Sequence, residues 1–448
     1  MNCTSATSPN SNVTSTSRWN YYKDLASIVC SRESTYRTAL DITGFDIPVL
    51  AADAFRGIKK FTESVFECLS ATIMVGVSPY LTTFVGNVLG KLTLSKELQK
   101  DTINLLKFNM SELRDFEQFK NATQRIKSEE VEDKLFVSSL YKKSGKEEKA
   151  RFYEQDALGI EQFCNNFKAT KDKMKEIYKL KKATIVGESF LEGGWWGGYG
   201  LMFRMFRKHI LREDRFTGTK GYVSDSESEE LGEGGDLSLF QKIVGGASIF
   251  ISPILNFFLL TKIENREAVK NSKFLQKVDE NMDMTHGVYP KLGLLFTQTT
   301  IPKWIGTITL SQGWFERTER ILKLFTVIPS WWLGHRATNG TYALNADKEL
   351  SKKYKVPPGI LVEPEYLSQA KENNEPFLQR IQKRFPEPAK IHHILKSTEG
   401  NKELQSEAED LHAKCLYKGF AMHSLLVFGI NMAVNYTTKL RALWALRN

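Results

Sequence analysis

The chain reads as a mainly α-helical protein: a helical bundle joined to kinked apolar helices, in association with a membrane. Three observations carry this. Two apolar runs, Cys68–Gly86 and Ile243–Thr261, are each about as long as the ~20 residues that a helix needs to cross a bilayer. Each has Ser-Pro near its middle, Ser78-Pro79 and Ser252-Pro253, and proline removes a backbone donor and crowds the preceding turn, which predicts a kink or a split into half-helices. Between Pro79 and Pro253 there is no further proline, which leaves room for long uninterrupted helices.

Composition limits how much of the chain meets lipid. Of 448 residues, 41% are hydrophobic and 25% charged, and the mean hydropathy is -0.33, values that exclude a polytopic transporter. A net charge of +10 favours anionic partners. The segment Leu94–Lys182 mixes both signs densely, without a basic run interleaved with aromatics, so nucleic acid is the weaker partner and anionic membrane lipids the expected one. Five scattered cysteines without CxxC spacing indicate reduced thiols rather than a disulfide framework or a zinc ribbon.

Residues 1–25 form a Ser/Thr-rich tail, predicted to be disordered. With no apolar stretch before Trp19, no secretory signal peptide is expected, and the location expected is intracellular and membrane-associated. Residues 26–93 hold a short helix over Ala26–Arg37, a connection over Asp41–Lys60, and the first Ser-Pro run. Arg56, Lys59 and Lys60 precede that run and Lys91 and Lys96 follow it, so there is no charge asymmetry to orient it.

Residues 94–185 form a charged helical bundle. Ile103, Leu105, Leu106 and Phe108, then Leu135, Phe136 and Leu140, then Ile160, Phe163 and Phe167 follow an apolar stripe of helical period.

Residues 186–345 form an apolar and aromatic region. Glu192–Gly200 (EGGWWGGYG) is too glycine-rich for a stable helix interior. Next, Leu201–Phe216 (LMFRMFRKHILREDRF) predicts an interfacial helix with an apolar and a cationic face. Its cations Arg204, Arg207, Lys208, Arg212 and Arg215, with Lys220 and the tryptophans Trp195, Trp196, Trp331 and Trp332, are the candidate anion- and lipid-binding residues. An acidic loop, 222–237, follows. Its serines Ser224, Ser226 and Ser228 would compete more strongly with anionic headgroups for the arginines if phosphorylated. The Thr-rich stretch around Thr297–Thr309 leaves helix or strand open. Residues 346–448 form a C-terminal helical region ending in the mostly apolar Cys415–Tyr436. The two Ser-Pro runs resemble one another over five positions, Val77–Leu81 against Ile251–Leu255.

Catalytic signatures are incomplete. Gly187-Glu188-Ser189-Phe190-Leu191 has leucine where a nucleophile elbow needs its second glycine, and Gly218-Thr219-Lys220 lacks the glycine and loop of a phosphate cradle. The remaining catalytic candidates are Asp283, His286, His335 and Arg336, a carboxylate, two imidazoles and a guanidinium beside turn-forming residues. No metal site and no cofactor is expected. The function expected is that of a membrane-associated, non-enzymatic protein binding anionic lipid surfaces. The alternatives are a peripheral enzyme acting on a lipid or other anionic substrate, and an interaction scaffold.

Overall fold

The computed structural model describes residues 15–447 except 31–35, 37–38, 144, 214, 220–222, 225, 228–236, 286, 288, 331–333, 363–384 and 386–387. Of the tail expected to be disordered over 1–25, residues 1–14 lie outside the described residues and the remainder is helical, within Ser15–Cys30. Most of the acidic loop lies outside the described residues. The protein is mainly helical. Six helices carry the argument: α1 (Ile58–Thr93), α2 (Lys171–His209), α3 (Leu239–Glu264), α4 (Ile301–Thr309), α5 (Gly313–Pro329) and α6 (Lys402–Ala445).

The chain divides into two compact units. The smaller comprises Met1–Tyr36, Phe136–Arg151 and Arg336–Gly419; the larger comprises Arg37–Leu135, Phe152–His335 and Phe420–Asn448.

In the smaller unit, Leu350, Leu361, Ile394, Leu404 and Ala408 form the core. Asp347, itself buried, accepts backbone hydrogen bonds from Gly359 (2.9 Å), Ile360 (2.7 Å) and Leu361 (2.7 Å). One side chain thus satisfies three donors that the turn leaves without helical partners. His412 is buried in this unit. Burial pushes its imidazole down from 6.5 to about 4, against the pull of a hydrogen bond to the Ala389 backbone. A histidine depressed on folding contributes stability above its unfolded pKa and loses it as pH falls toward the folded value. Lowering the pH from 6.5 to 4 should therefore remove about 3 kcal/mol from this unit. A melting profile of the full chain against pH tests this, since His412→Phe should flatten that interval; an unchanged slope would dismiss the assignment.

The larger unit is built on α2. Its N-terminal half is part of the charged bundle, whose core joins Leu105, Leu106, Phe108, Phe119, Ile126, Ile160, Phe163, Ile177 and Leu180. Phe108 lies 5.0 Å from Phe119 and 5.3 Å from Phe167 between ring centroids. Leu135, placed on the apolar stripe by periodicity, is instead exposed.

Neither Ser-Pro run is split. Pro79 lies inside the continuous helix α1 and Pro253 inside α3. A proline within a helix costs about 3 kcal/mol. Here both flanks pack on α2, which offsets that loss and keeps each helix whole. The expectation for Glu192–Gly200 is overturned as well, because these residues lie within α2. The glycines are needed where helix backbones meet. A Cβ on Gly193 would lie 2.2 Å from Ser252 Cβ, one on Gly197 2.4 Å from the Ser248 carbonyl oxygen, and one on Gly200 2.6 Å from the Gly306 carbonyl oxygen. Each glycine loses about 1 kcal/mol of helix propensity relative to alanine, and α3 and α4 gain close backbone packing in return. The interfacial helix expected over Leu201–Phe216 is the end of α2, which stops at His209. The Thr-rich stretch resolves as a π-helical turn, Phe296–Thr300, leading into α4.

α1 and α3 have their apolar side outward. On α1, Leu69, Ile73, Val77, Tyr80, Phe84, Val88 and Leu92 are all exposed, at steps of three or four residues. They make one stripe ~35 Å long at 1.5 Å per residue. On α3 the exposed set is Leu239, Phe240, Ile243, Phe250, Ile254, Phe257 and Phe258, whereas the inward positions are Gly245, Ser248, Ser252 and Asn256, then Leu260 and Ile263. In the most apolar window of each helix only 28% (α1) and 33% (α3) of residues are buried.

Candidate functional site

At the end of the larger unit where α1 begins and α2 ends, charged side chains are buried together. Arg56, just before α1, is 2% exposed. Its Nη1 donates to Glu319 Oε1 (2.7 Å) and Asn435 Oδ1 (2.8 Å), its Nη2 to Glu319 Oε2 (2.7 Å) and the Gly218 carbonyl (2.6 Å), and its Nε to the same carbonyl (3.2 Å). The paired bonds to Glu319 are the fork geometry that makes arginine–carboxylate pairs strong. A Cβ at Gly218 would lie 2.2 Å from Arg56 Nη2 and 2.3 Å from Phe216 Cζ, so any larger residue would push both side chains out of the cluster.

One turn further along α1, Lys60 and Glu63 continue the cluster. Glu63 is fully buried and pairs with Arg207 Nη2 of α2 at 3.0 Å. Arg207 also donates to Glu316 Oε1 (2.6 Å) and Gln312 Oε1 (2.5 Å), while Arg320 Nε donates back to Glu316 at 3.0 Å. Asp53 accepts from Ser64 Oγ at 2.6 Å and from Asn435 Nδ2 at 3.1 Å, and pairs with Lys323 at 3.5 Å. At the centre lies the buried ring of Phe216. Arg56, Lys60 and Arg207 stand 5.8, 5.6 and 5.8 Å from its centroid, within range of a cation–π attraction.

Burial opposes the charge on Glu319, but Arg56 and Lys323 outweigh it and hold the carboxyl well below its ordinary value. Glu316 is lowered in the same way, with Arg207 and Arg320 overcoming desolvation. Opposite charges thus neutralise one another pair by pair inside a desolvated volume, which fixes α1, α2, α5 and the end of α6 to one another.

Next to this cluster Lys303 of α4 pairs with Glu67 (3.4 Å) and lies 5.1 Å from the Trp196 ring and 4.8 Å from that of Tyr199. Tyr199 donates to the Glu67 backbone carbonyl at 2.9 Å.

The residues singled out from sequence are distributed unevenly over this geometry. Arg207, expected on the outward cationic face, is turned inward and 2% exposed, because Glu63 and Glu316 neutralise it. Lys208 and Arg212 are exposed, and Arg204 and Arg215 are half-buried. Trp196 is buried and Trp195 half-buried. Lys220, Trp331 and Trp332 lie outside the described residues. Of the catalytic candidates, Asp283 is buried and pairs with Lys181 at 2.6 Å while accepting the Met110 backbone N–H at 2.8 Å. It sits beside a short antiparallel pair, Met284–Thr285 with Tyr289–Pro290. His286 lies outside the described residues, His335 opens a helix over His335–Tyr354, and Arg336 belongs to the smaller unit. Among the described residues no group of three or more His, Cys, Asp or Glu side chains is arranged to hold a metal ion.

Comparison with family models, curated proteins and solved structures returns no match for this chain.

Proposed function

We propose that the larger unit is embedded in a lipid bilayer and that the protein acts non-enzymatically at an anionic lipid surface. The observation that carries this reading is the inverted amphipathicity of α1 and α3. Most of their aromatic and aliphatic side chains face outward, while serine, threonine and glycine on α1 and glycine, serine and asparagine on α3 face the packed interior beside a few apolar residues, Met74, Val85, Leu260 and Ile263. A water-soluble bundle buries the first set and exposes the second. In lipid there is no hydrophobic penalty for apolar side chains outside, and small residues bring helices together.

The outward stripes are of the right length, since a hydrocarbon core is about 30 Å thick. Cations flank them. Lys182 lies 5.2 Å from the Phe257 ring and Lys262 lies 5.3 Å from that of Phe258, stems along apolar surface with the charge at its edge. At the other end of α2, Lys208 and Arg212 are exposed and free to meet headgroups. The buried charge cluster then holds the helices together beside the headgroup layer.

Fractionation with a carbonate wash tests the embedding, and the protein should stay in the membrane pellet. Release of monodisperse, lipid-free protein without detergent would refute it. The headgroup contact has its own test. Changing Lys208 and Arg212 together to Gln should weaken binding to vesicles containing phosphatidylserine by roughly thirtyfold, at about 1 kcal/mol per interfacial charge. Arg207→Gln should act on folding instead.

A further inference from the structure

The interior of the larger unit carries a second polar group, well separated in sequence from the charge cluster and different in chemistry. Glu188 of α2 is fully buried, and Thr82 of α1 donates its hydroxyl to one carboxyl oxygen. The charged group acting on Glu188 is Glu192, one turn on, which adds a like charge; among the described residues neither carboxylate has an ion-pair partner. Ser189 stands alongside. Its Oγ donates to the Ile185 carbonyl (2.5 Å) and accepts from Asn256 Nδ2 of α3 (2.7 Å) and Gln298 Nε2 (3.1 Å). With their nitrogens held there, both amides turn their oxygens elsewhere.

Four oxygens are left without a hydrogen-bond donor: Glu188 Oε2, Thr184 Oγ1, Asn256 Oδ1 and Gln298 Oε1. All four residues are 0% exposed. Thr184 precedes Glu188 by one turn on the same face of α2, and the Gln298 amide borders the Glu188 carboxyl. Gln298 reaches the interior from the π-helical turn Phe296–Thr300. The wider turn directs Thr297 and Gln298 inward together, and such turns recur at functional sites.

We propose that Glu188, Thr184, Asn256 and Gln298 bind a monovalent metal cation of the sodium class. A buried carboxylate without a counter-charge is costly, as is each buried acceptor without a donor, at about 1–3 kcal/mol. A proton on Glu188 removes the charge but leaves the amide oxygens unpaired. A water satisfies the oxygens but leaves the charge. A hard cation answers both needs through oxygen ligands. Glu192 lies outside the set, its carboxyl facing the Ser78 hydroxyl, so a single positive charge matches the one carboxylate among the four ligands. The inference does not rest on bilayer insertion, because the site is interior in either setting.

The test uses the purified full-length protein in detergent micelles, with NaCl replacing choline chloride at constant ionic strength. A cation that binds only the folded state raises the melting temperature. The rise should saturate with NaCl, and equilibrium binding of radioactive sodium should approach one ion per chain. Glu188→Gln should abolish both responses, and the exposed Glu97→Gln should change neither. Should Glu188→Gln fail to fold, Asn256→Ala and Gln298→Ala supply the reading, each weakening sodium binding by about tenfold or more. Equal melting in sodium and choline overturns the proposal, as does a sodium response that persists in a folded Glu188→Gln or in both amide variants. Stabilisation by calcium but not sodium, or by pH alone, overturns it equally.

Discussion

Replacing Arg56 with methionine lowers the stability of the larger unit by about 3–5 kcal/mol, the cost of breaking a buried ion pair from one side. The loss is large because Arg56 serves several acceptors at once. Without it, Glu319 keeps Lys323 at 3.2 Å but loses both forked hydrogen bonds, and the Gly218 carbonyl and Asn435 Oδ1 lose their donor. Glu319→Gln, which keeps the shape and removes the charge, should also destabilise, and the double variant should be less unstable than the sum of the two singles. That non-additivity is what a direct pair produces. Unfolding by SDS titration in mixed micelles, followed by circular dichroism, measures all three. Arg212→Gln is the control; exposed and outside the cluster, it should shift stability by less than about 0.5 kcal/mol.

Gly197→Leu should be of similar severity for a different reason. The added Cβ would sit 2.4 Å from the Ser248 carbonyl oxygen and 2.6 Å from its carbon. Both are backbone atoms of α3, so no side-chain rotation relieves the clash and the helices must move apart. The expected loss is about 3 kcal/mol or more, the upper range of overpacking, and in the same SDS titration it should appear as an earlier midpoint. At neighbouring Gly198, a Cβ would meet nothing within 4 Å. Gly198→Ala should therefore stabilise by up to about 1 kcal/mol through helix propensity. Equal effects at the two positions would contradict the packing described for α2 and α3.

Helical class, the two long apolar helices and the aromatic core of the charged bundle were legible because each rests on local periodicity. Phe108, Ile160 and Phe163 were placed correctly by spacing alone. The glycine-rich segment was misread because propensity is a local quantity, whereas Gly193, Gly197 and Gly200 are used by residues 50 to 110 positions away in the chain.

The charge cluster has a signal of its own in the sequence. Arg56, Lys60, Glu63 and Glu67 recur at steps of four, three and four, and Glu316, Glu319, Arg320 and Lys323 share a second helical face. Two charged stripes at helical period, one leading directly into an apolar run, indicate charges facing inward. Arg207 could not be assigned from a helical wheel, because the wheel ranks a face by hydropathy and cannot register that Glu63 and Glu316 lie opposite. The Glu188 group was less legible still. Thr82, Glu188, Asn256 and Gln298 come from four segments and share no spacing.

The central claim is that the outward faces of α1 and α3 meet acyl chains. Nitroxide labels at single cysteines introduced at Ile73, Phe84 and Ile254, in reconstituted vesicles and a background without reactive native thiols, test it most directly. The account predicts that collision with oxygen, which concentrates in hydrocarbon, exceeds collision with a water-soluble nickel chelate at all three positions. Labels at exposed Glu97 and Glu267 should show the reverse. Greater access of the nickel chelate to positions 73, 84 and 254 would put these faces in water and contradict the account.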